Sequence, residues 1–386
     1  MKASPKRLLH VIRSLSPEYG GPAQQVRQIV GTYPSLGLIG EVACLDDPAS
    51  SFLGGLDFSV HALGPARGIY GYSSKWMPWV RANLDRFDGV VIHGIWQYQS
   101  YGTWLAIRGS KKPYVQLPHG MLDPWFKRQY PRKHIKKWIY WTLAEYWVLR
   151  QARRVLFTSA TEQRLAPESF WLHHWNGAVV PYGATAPSGD AGAQQEVFYR
   201  QCPALRGQRF LLYLSRIHPK KGCDLLIDAF LHVAERAPWL HLVMAGPDPT
   251  GMRPQLEAQV AAAGLSHRVH WPGLLTGEAK WGAFFASEAF ILPSHQENFG
   301  IAVAEALGCS RPVLISDQVN IWPEIHSDGA GFVAPDTLEG TIHLLEEWTA
   351  LNNEQRGQIS LRAKTCFEKR YNIVNNVAEL VRFFVQ

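Results

Sequence analysis

Short, nearly continuous apolar runs alternate with longer stretches of helical spacing along most of this chain, and the alternation runs through twice. "RLLHVI" (7–12), "EVACL" (41–45), "DGVVIHG" (88–94), "PYVQLPHG" (113–120), "RRVLFTS" (153–159) and "GAVVPYG" (177–183) form the first set. "RFLLYLSR" (209–216), "HLVMAG" (241–246), "RVHWPG" (268–273), "AFILPS" (289–294) and "RPVLIS" (311–316) form the second. A strand that is apolar on both faces must be covered on both faces, so these runs predict parallel sheets with helices on each side. "PAQQVRQIVGTY" reads as a helix opened by Pro22, and helices over 222–237, 253–263, 276–287 and 300–309 fill gaps in the second set.

Small residues, Pro and Gly in "ATAPSGDAGAQQE" (184–196) interrupt the rhythm and read as a linker or surface excursion. A length of 386 residues also exceeds what one core usually supports. The expected fold class is therefore α/β, with two Rossmann-like domains facing across a cleft. The expected domains are 1–190 and 200–365, followed by a C-terminal helix over 366–386 packing back on the first. Open sheets of this type bind ligands at the carboxyl ends of their strands, which makes the cleft the expected active site.

Composition narrows the partners. Hydrophobic residues make up 46% and charged residues 18%, which excludes a disordered or fibrous chain. A net charge of +7, with fifteen His besides, favours phosphates, nucleotides or an anionic membrane surface. Five scattered cysteines without a C-x-x-C fit a reduced, cytoplasmic protein. The first residues read as a strand rather than a secretory signal, and no run approaches the length of a membrane span. The expectation is a soluble protein, at most peripheral at the inner face of a membrane.

Chemistry concentrates in the second half. A strand ends at Arg216, and Lys220 and Lys221 lead into the next helix. Cations at a strand's carboxyl end beside a helix N-terminus suit an anion, and a solvated basic loop is the equal alternative. In "SHQENFGIAVAEALG" (294–308), Glu297 precedes a helix that starts near Phe299–Gly300, and Glu305 lies inside it. The backbone N–H groups of Asn298, Phe299 and Gly300 fall where a helix leaves its first donors unsatisfied. Glu305 sits on an otherwise apolar helix. It faces either a polar cleft or a salt-bridge partner on a neighbouring helix.

The E-x7-E stretch, "SRIHPKKG" and "AGPD" together resemble family 4 of the retaining, GT-B-fold glycosyltransferases of group 1. Gly20 and Gly21 after the first strand resemble that family's glycine loop, "LPHGMLDPW" (117–125) its His-Gly segment, and "SDQVNIWPEIHSDGAGFV" (316–333) the stretch after the acidic helix. The resemblance covers essentially the whole chain. It implies transfer, with retention, from a UDP- or GDP-sugar to a glycan, glycolipid or lipid-linked acceptor, in cell-surface polysaccharide synthesis. By this likeness Glu297, with the amides of Asn298, Phe299 and Gly300, holds donor-sugar hydroxyls, and Glu305 holds the ribose. Arg216 and Lys221 would neutralise the diphosphate with the amides after Gly20, so that no metal and no cofactor is required. His119 would contact the donor sugar, while His93 and Trp96 would border the acceptor. Asp123 would touch the acceptor or cap the next turn.

Residues 124–150 are basic and aromatic, with six Lys or Arg before the first acid, Glu145. Helical spacing predicts that Ile135, Trp138, Ile139, Thr142 and Tyr146 are buried and that Lys133, Lys136 and Lys137 lie outside. The exposed cations would then be available to an anionic membrane surface. Nucleic-acid binding has no supporting motif. The competing readings are another two-Rossmann sugar-nucleotide enzyme, such as an epimerase, and a non-catalytic membrane or nucleic-acid binder acting through 124–150. A binder has no use for Arg216, Lys221, Glu297 and Glu305 together.

Overall fold

A computed structural model describes residues 5–385, and the chain divides into two compact units, Met1–Gly183 with Ile373–Gln386, and Ala184–Asn372. Residues 1–4 and 386, which end the expected domains, lie outside the described residues. The first unit carries β1 (Arg7–Val11), β2 (Ile39–Cys44), β3 (Ser59–Ala62), β4 (Gly89–His93), β5 (Tyr114–Leu117), β6 (Arg154–Phe157) and β7 (Gly177–Val179). They form one sheet in the order β3-β2-β1-β4-β5-β6-β7, and every pairing is parallel.

The second unit repeats the design with β8 (Arg209–Leu214), β9 (Leu240–Ala245), β10 (Val269–Gly273), β11 (Ala289–Leu292), β12 (Val313–Ser316) and β13 (Gly331–Ala334). The sheet order is β10-β9-β8-β11-β12-β13, again all parallel. Each is a Rossmann-like sheet whose order reverses beside its first strand, β1 or β8. That reversal opens the crevice used by ligands in this architecture. The central strands are mostly apolar because helices cover both faces; β4 and β11 are buried at every position.

Two strands escaped the sequence. β3 and β13 each form one edge of their sheet, four residues each and only partly buried, so their pattern is diluted by polar and small residues. The proposed linker is also shorter than expected. Residues from Ala191 are the first turns of a helix, Ala191–Gln201, and the Asp190 carboxylate caps it by accepting from the Ala193 N–H.

The expected helix over 366–386 is broken. A π-helical turn, Phe367–Tyr371, closes the helix Asn353–Cys366, Asn372 is extended, and a separate helix runs Ile373–Val385. At the two passages between units, Ala184 forms a parallel bridge with Asn372, and its N–H donates to the Tyr371 carbonyl. The helix Ile373–Val385 packs against the helix Gly21–Thr32 and buries Val377, Leu380 and Phe384. Leu380 borders a narrow apolar cavity with Ile29, Leu117 and Val180.

The basic aromatic stretch meets expectation only in part: Tyr146 is buried and Trp138 packs inward, but the two isoleucines do not. Helices Trp125–Gln129 and Pro131–Tyr140 lead into a π-helical turn, Trp141–Glu145, and a helix Tyr146–Gln151. The buried side chains are Trp141, Ala144, Glu145, Tyr146, Val148 and Leu149, whereas Ile135 and Ile139 face solvent. Phe170 stacks on Trp141, and Trp138 meets the same ring edge-on, so the wide aromatic rings claim the inner face and the aliphatic stripe turns outward.

We expect Leu380→Ala to destabilise the first unit by about 2–5 kcal/mol, the usual cost of truncating a well-packed leucine. Hydrogen exchange read by mass spectrometry should show faster exchange in β1, β4 and β5, with β8–β13 unchanged. Equal loosening of both sheets would show that the helix does not belong to the first unit.

Candidate active site

In the second unit the candidate residues gather at the carboxyl ends of β8 and β11. After β8, Arg216 is exposed, with no ion pair among the described residues. Its backbone carbonyl accepts from the Tyr213 hydroxyl (2.7 Å), and the neighbouring Ile217 N–H donates to Pro247 in the "AGPD" segment (2.8 Å). A 3-10 turn, Pro219–Lys221, then hands the chain to Gly222 and the helix Cys223–Val233. Gly222 is left-handed (φ 65°), and a Cβ there would meet the Pro293 carbonyl at 2.0 Å. Only glycine lets this turn lie against the end of β11.

That contact brings Lys221 to Glu297. The buried Lys221 ammonium donates to the Glu297 carboxylate. Burial pushes the Glu297 carboxyl up, yet Lys221, then Lys220 and the Phe299 N–H, hold it below the usual carboxylate range. The Phe299 amide is thus aimed at Glu297. The Glu297 backbone is itself clamped: its N–H donates to Gln318 (3.0 Å), and its carbonyl accepts from the Asn320 N–H (2.9 Å). Gly300 (φ 78°) caps the helix Ile301–Gly308 in a left-handed turn that would strain any other residue.

Glu305 rides on that helix, buried, and accepts from Lys280 Nζ at 2.7 Å. The partner on a neighbouring helix is therefore present, on Gly277–Ala286. Lys280, whose ammonium also lies 4.2 Å from the Trp281 ring centroid, was not singled out from the sequence. It occupies one of about four acceptor positions of the carboxylate. The helix wall thus carries two lysine–carboxylate pairs, one before its start and one in its second turn.

In the first unit Gly20 caps the helix Gly21–Thr32, which starts with Pro22 in its first turn. His10 on β1, His93 on β4 and His119 after β5 form a chain across three neighbouring strands. His10 Nδ1 lies 2.8 Å from His93 Nε2, and His93 Nδ1 lies 3.0 Å from His119 Nε2. At the far end His10 Nε2 lies 2.6 Å from the Tyr33 hydroxyl. Burial holds His10 and His119 down at about 3, and His93 well below its ordinary value with the other two rings adding to the effect. All three are neutral near pH 7. His93 is fully enclosed, with one nitrogen toward His10 and the other toward His119, so neither is turned to an acceptor.

His119 and Trp96 have positive φ (55° and 74°), rare for such residues and a mark of locally imposed geometry. Buried Glu162 ties the His119 turn by accepting from the Gly120 N–H at 2.7 Å and from the Thr158 N–H and hydroxyl. Trp96 donates its N–H to Glu145 (3.3 Å), and Lys137 sits 4.7 Å from its ring centroid. Burial pushes the Glu145 carboxyl up to about 7 against the Ser100 hydroxyl and the Trp96 N–H. Asp123 caps the next turn, accepting from the Trp125 N–H at 2.8 Å. His10, Tyr33, Glu145 and Glu162 were invisible to sequence reasoning because only the strand order and turn geometry bring them to the site. Among the described residues no three His, Cys, Asp or Glu converge as a metal site.

Residues 197–365 match the family model for glycosyl transferases group 1, and residues 20–183 match that for a glycosyl transferase 4-like domain. Mannosylfructose-phosphate synthase of Agrobacterium fabrum is 30% identical over 228 residues, 53% of this chain and 48% of that protein. The lipopolysaccharide core biosynthesis mannosyltransferase LpsB of Rhizobium meliloti is 26% identical over 50% of this chain and 62% of its own length. The chain thus spans about half the length of the first of these relatives. Anabaena Alr3699/HepE in complex with UDP superposes with a TM-score of 0.77 at 17% identity, covering 98% of this chain and 99% of that one. A glycosyltransferase from Rickettsia africae gives 0.78 at 14%, covering 98% of both. At such identities the likeness is one of fold.

The histidine chain has a direction. If Tyr33 donates to His10, every hydrogen in the chain finds an acceptor except the one left on His119 Nδ1. In the opposite sense both the Tyr33 hydroxyl hydrogen and the His119 Nδ1 lone pair go unmet, since neither has another partner among the described residues. Each sense leaves one donor unmet, but the first leaves it on partly exposed His119, where a ligand oxygen can receive it, and the second on fully buried Tyr33. A buried unmet donor costs about 1–3 kcal/mol, so the first sense is preferred. Long-range proton–nitrogen NMR should therefore find His119 as the Nδ1–H tautomer, with Tyr33→Phe giving a mixture. An Nε2–H tautomer of His119 in the unaltered protein would refute the direction.

Proposed function

We propose that this chain, which belongs to the group 1 glycosyltransferases of GT-B fold, moves a sugar from a UDP- or GDP-sugar to a glycan, glycolipid or lipid-linked acceptor. The transfer retains the anomeric configuration and needs no metal. The observation that carries this reading is the pair of lysine-bound carboxylates on one helix wall, beside the unpaired Arg216. Glu297 grips donor-sugar hydroxyls, and Glu305, steadied by Lys280, grips the ribose. Lys221 keeps two further N–H donors besides the one given to Glu297, and with Arg216 it takes the diphosphate.

The bond from the anomeric carbon to the diphosphate oxygen breaks as the acceptor hydroxyl attacks from the same face. The hydroxyl proton passes to the departing diphosphate oxygen. Negative charge grows on that oxygen, and fixed cations stabilise it without reorganising. In the first unit, His119 offers Nδ1–H to a ligand oxygen, and Trp96 borders the acceptor. HepE, crystallised with UDP-glucose, supports a uridine donor, and the name of LpsB supports a role in surface polysaccharide.

Arg216→Ala should lower kcat by about 2–4 kcal/mol of transition-state stabilisation with folding stability nearly unchanged, because the side chain is exposed. Activity assays with saturating donor decide it; near-normal kcat would remove the leaving-group role.

The two glutamates should separate in calorimetric titrations. Glu305→Gln should weaken the bare nucleoside diphosphate and the sugar nucleotide alike, by about ten- to a hundredfold, the range of a charged hydrogen bond. Glu297→Gln should weaken the sugar nucleotide alone, because it removes the sugar's partner while releasing Lys221 to the diphosphate. Equal losses of the bare nucleotide in both variants would contradict the division of labour. No loss in either would contradict the donor site.

A further inference from the structure

The inner face of the segment 131–151 is filled by rings, and its outer face is aliphatic. Ile135, Ile139 and Leu143 are 66%, 64% and 71% exposed, and Trp147 continues the line at 38%. Four residues of α-helix overshoot one turn by about 40°, so such a stripe would drift around the axis. The π-helical turn Trp141–Glu145 holds more residues per turn and takes up part of that drift. The result is one ridge about 18 Å long. Trp171, 78% exposed and stacked on Trp138, widens it on one side.

Exposed apolar residues scattered singly are ordinary, but a contiguous line is not. Cations surround this one. Lys127, Arg128, Arg132, Lys133, Lys136 and Arg150 are exposed, while the only acid in 124–151, Glu145, is buried. The nearest opposing carboxylate recorded is Glu168, 3.8 Å from Arg128 and itself exposed. At the far end Arg150, His173 and His174 line an open pocket of about 350 Å³ beside Trp171.

We propose that this ridge docks the protein on an anionic phospholipid bilayer, with Ile135, Ile139, Leu143 and Trp171 entering the headgroup–acyl boundary and the flanking cations meeting lipid phosphates. Basic helices with an aliphatic outer face bind in this way. A second copy of the chain is disfavoured because two equally basic faces repel. Nucleic acid is disfavoured because isoleucine and leucine offer no ring for a base to stack on. The inference concerns where the protein works and stands apart from the donor reading.

Vesicle flotation without nucleotide tests it. The unaltered protein should float with phosphatidylcholine vesicles containing phosphatidylglycerol, float less as salt rises, and not float with phosphatidylcholine alone. The triple variant I135S/I139S/L143S should lose at least tenfold in apparent affinity. R132E/K133E/K136E should lose on the order of a hundredfold. Melting temperatures should hold in both variants, since these side chains are exposed.

Three outcomes overturn the proposal: no flotation of the unaltered protein, equal flotation of the aliphatic triple variant, or a dimer in sedimentation velocity that the triple variant dissolves without any vesicle binding. None of them bears on the calorimetric behaviour of Glu305→Gln, so failure of docking and failure of the donor site are separately visible.

Discussion

A lysine ammonium largely out of water is tolerable only beside an opposite charge, and the candidate site of the second unit is organised around meeting that demand. Lys221 is buried because Gly222 presses its turn onto the end of β11, and Glu297 is held opposite it by backbone bonds to residues 318 and 320. Removing either partner would strand the other charge, which costs more than the pair itself contributes. Lys280 and Glu305 repeat the solution one helix away. One pair joins the segments that follow β8 and β11 and the other joins two helices, so the helix Ile301–Gly308 is tied electrostatically on both flanks. Charges fixed this way need little rearrangement when a diphosphate arrives.

The first unit reaches comparable rigidity with neutral groups. Three stacked imidazoles and a phenol form a continuous hydrogen-bonded line over β1, β4 and β5, where burial suppresses protonation. Such a line polarises along its length, so the character of the terminal nitrogen is set by a hydroxyl three rings away. His119 stood out as a candidate because it follows a strand and precedes glycine. His10 and Tyr33 were not, because nothing in their local spacing distinguishes a relay member from a core polar residue. Their adjacency follows from the strand order alone.

That contrast recurs across the molecule. Interior strands were legible because burial on both faces leaves a mostly apolar run. Of the four edge strands, β7 and β10 were still read, but β3 and β13 were not, because their patterns are thinned by polar and small residues. The helix bearing Glu305 was placed to within a residue or two, since Gly300 and the regular apolar spacing mark its start. In 124–150 periodicity correctly indicated a helix with two faces and misassigned Ile135 and Ile139, which turn outward. Ile135 and Ile139 are as apolar as any core residue, but Trp138 and Tyr146 turned inward as expected together with Trp141, and Phe170 from another segment filled the place left for the isoleucines. The inward face even includes Glu145, received there by the Ser100 hydroxyl and the Trp96 backbone N–H.

The path of the chain has a consequence for synthesis. The first unit is discontinuous: its sheet is complete by Gly183, but the helix that covers Ile29, Leu117 and Val180 begins at Ile373. Chains leave the ribosome at roughly 5–20 residues per second, so the 189 residues of Ala184–Asn372 impose a delay of about ten to forty seconds. During that interval an apolar groove of the nascent first unit lies uncovered, while the contiguous second unit can fold as it emerges. The late arrival of Val377, Leu380 and Phe384 leaves this apolar surface uncovered until its own chain returns to it.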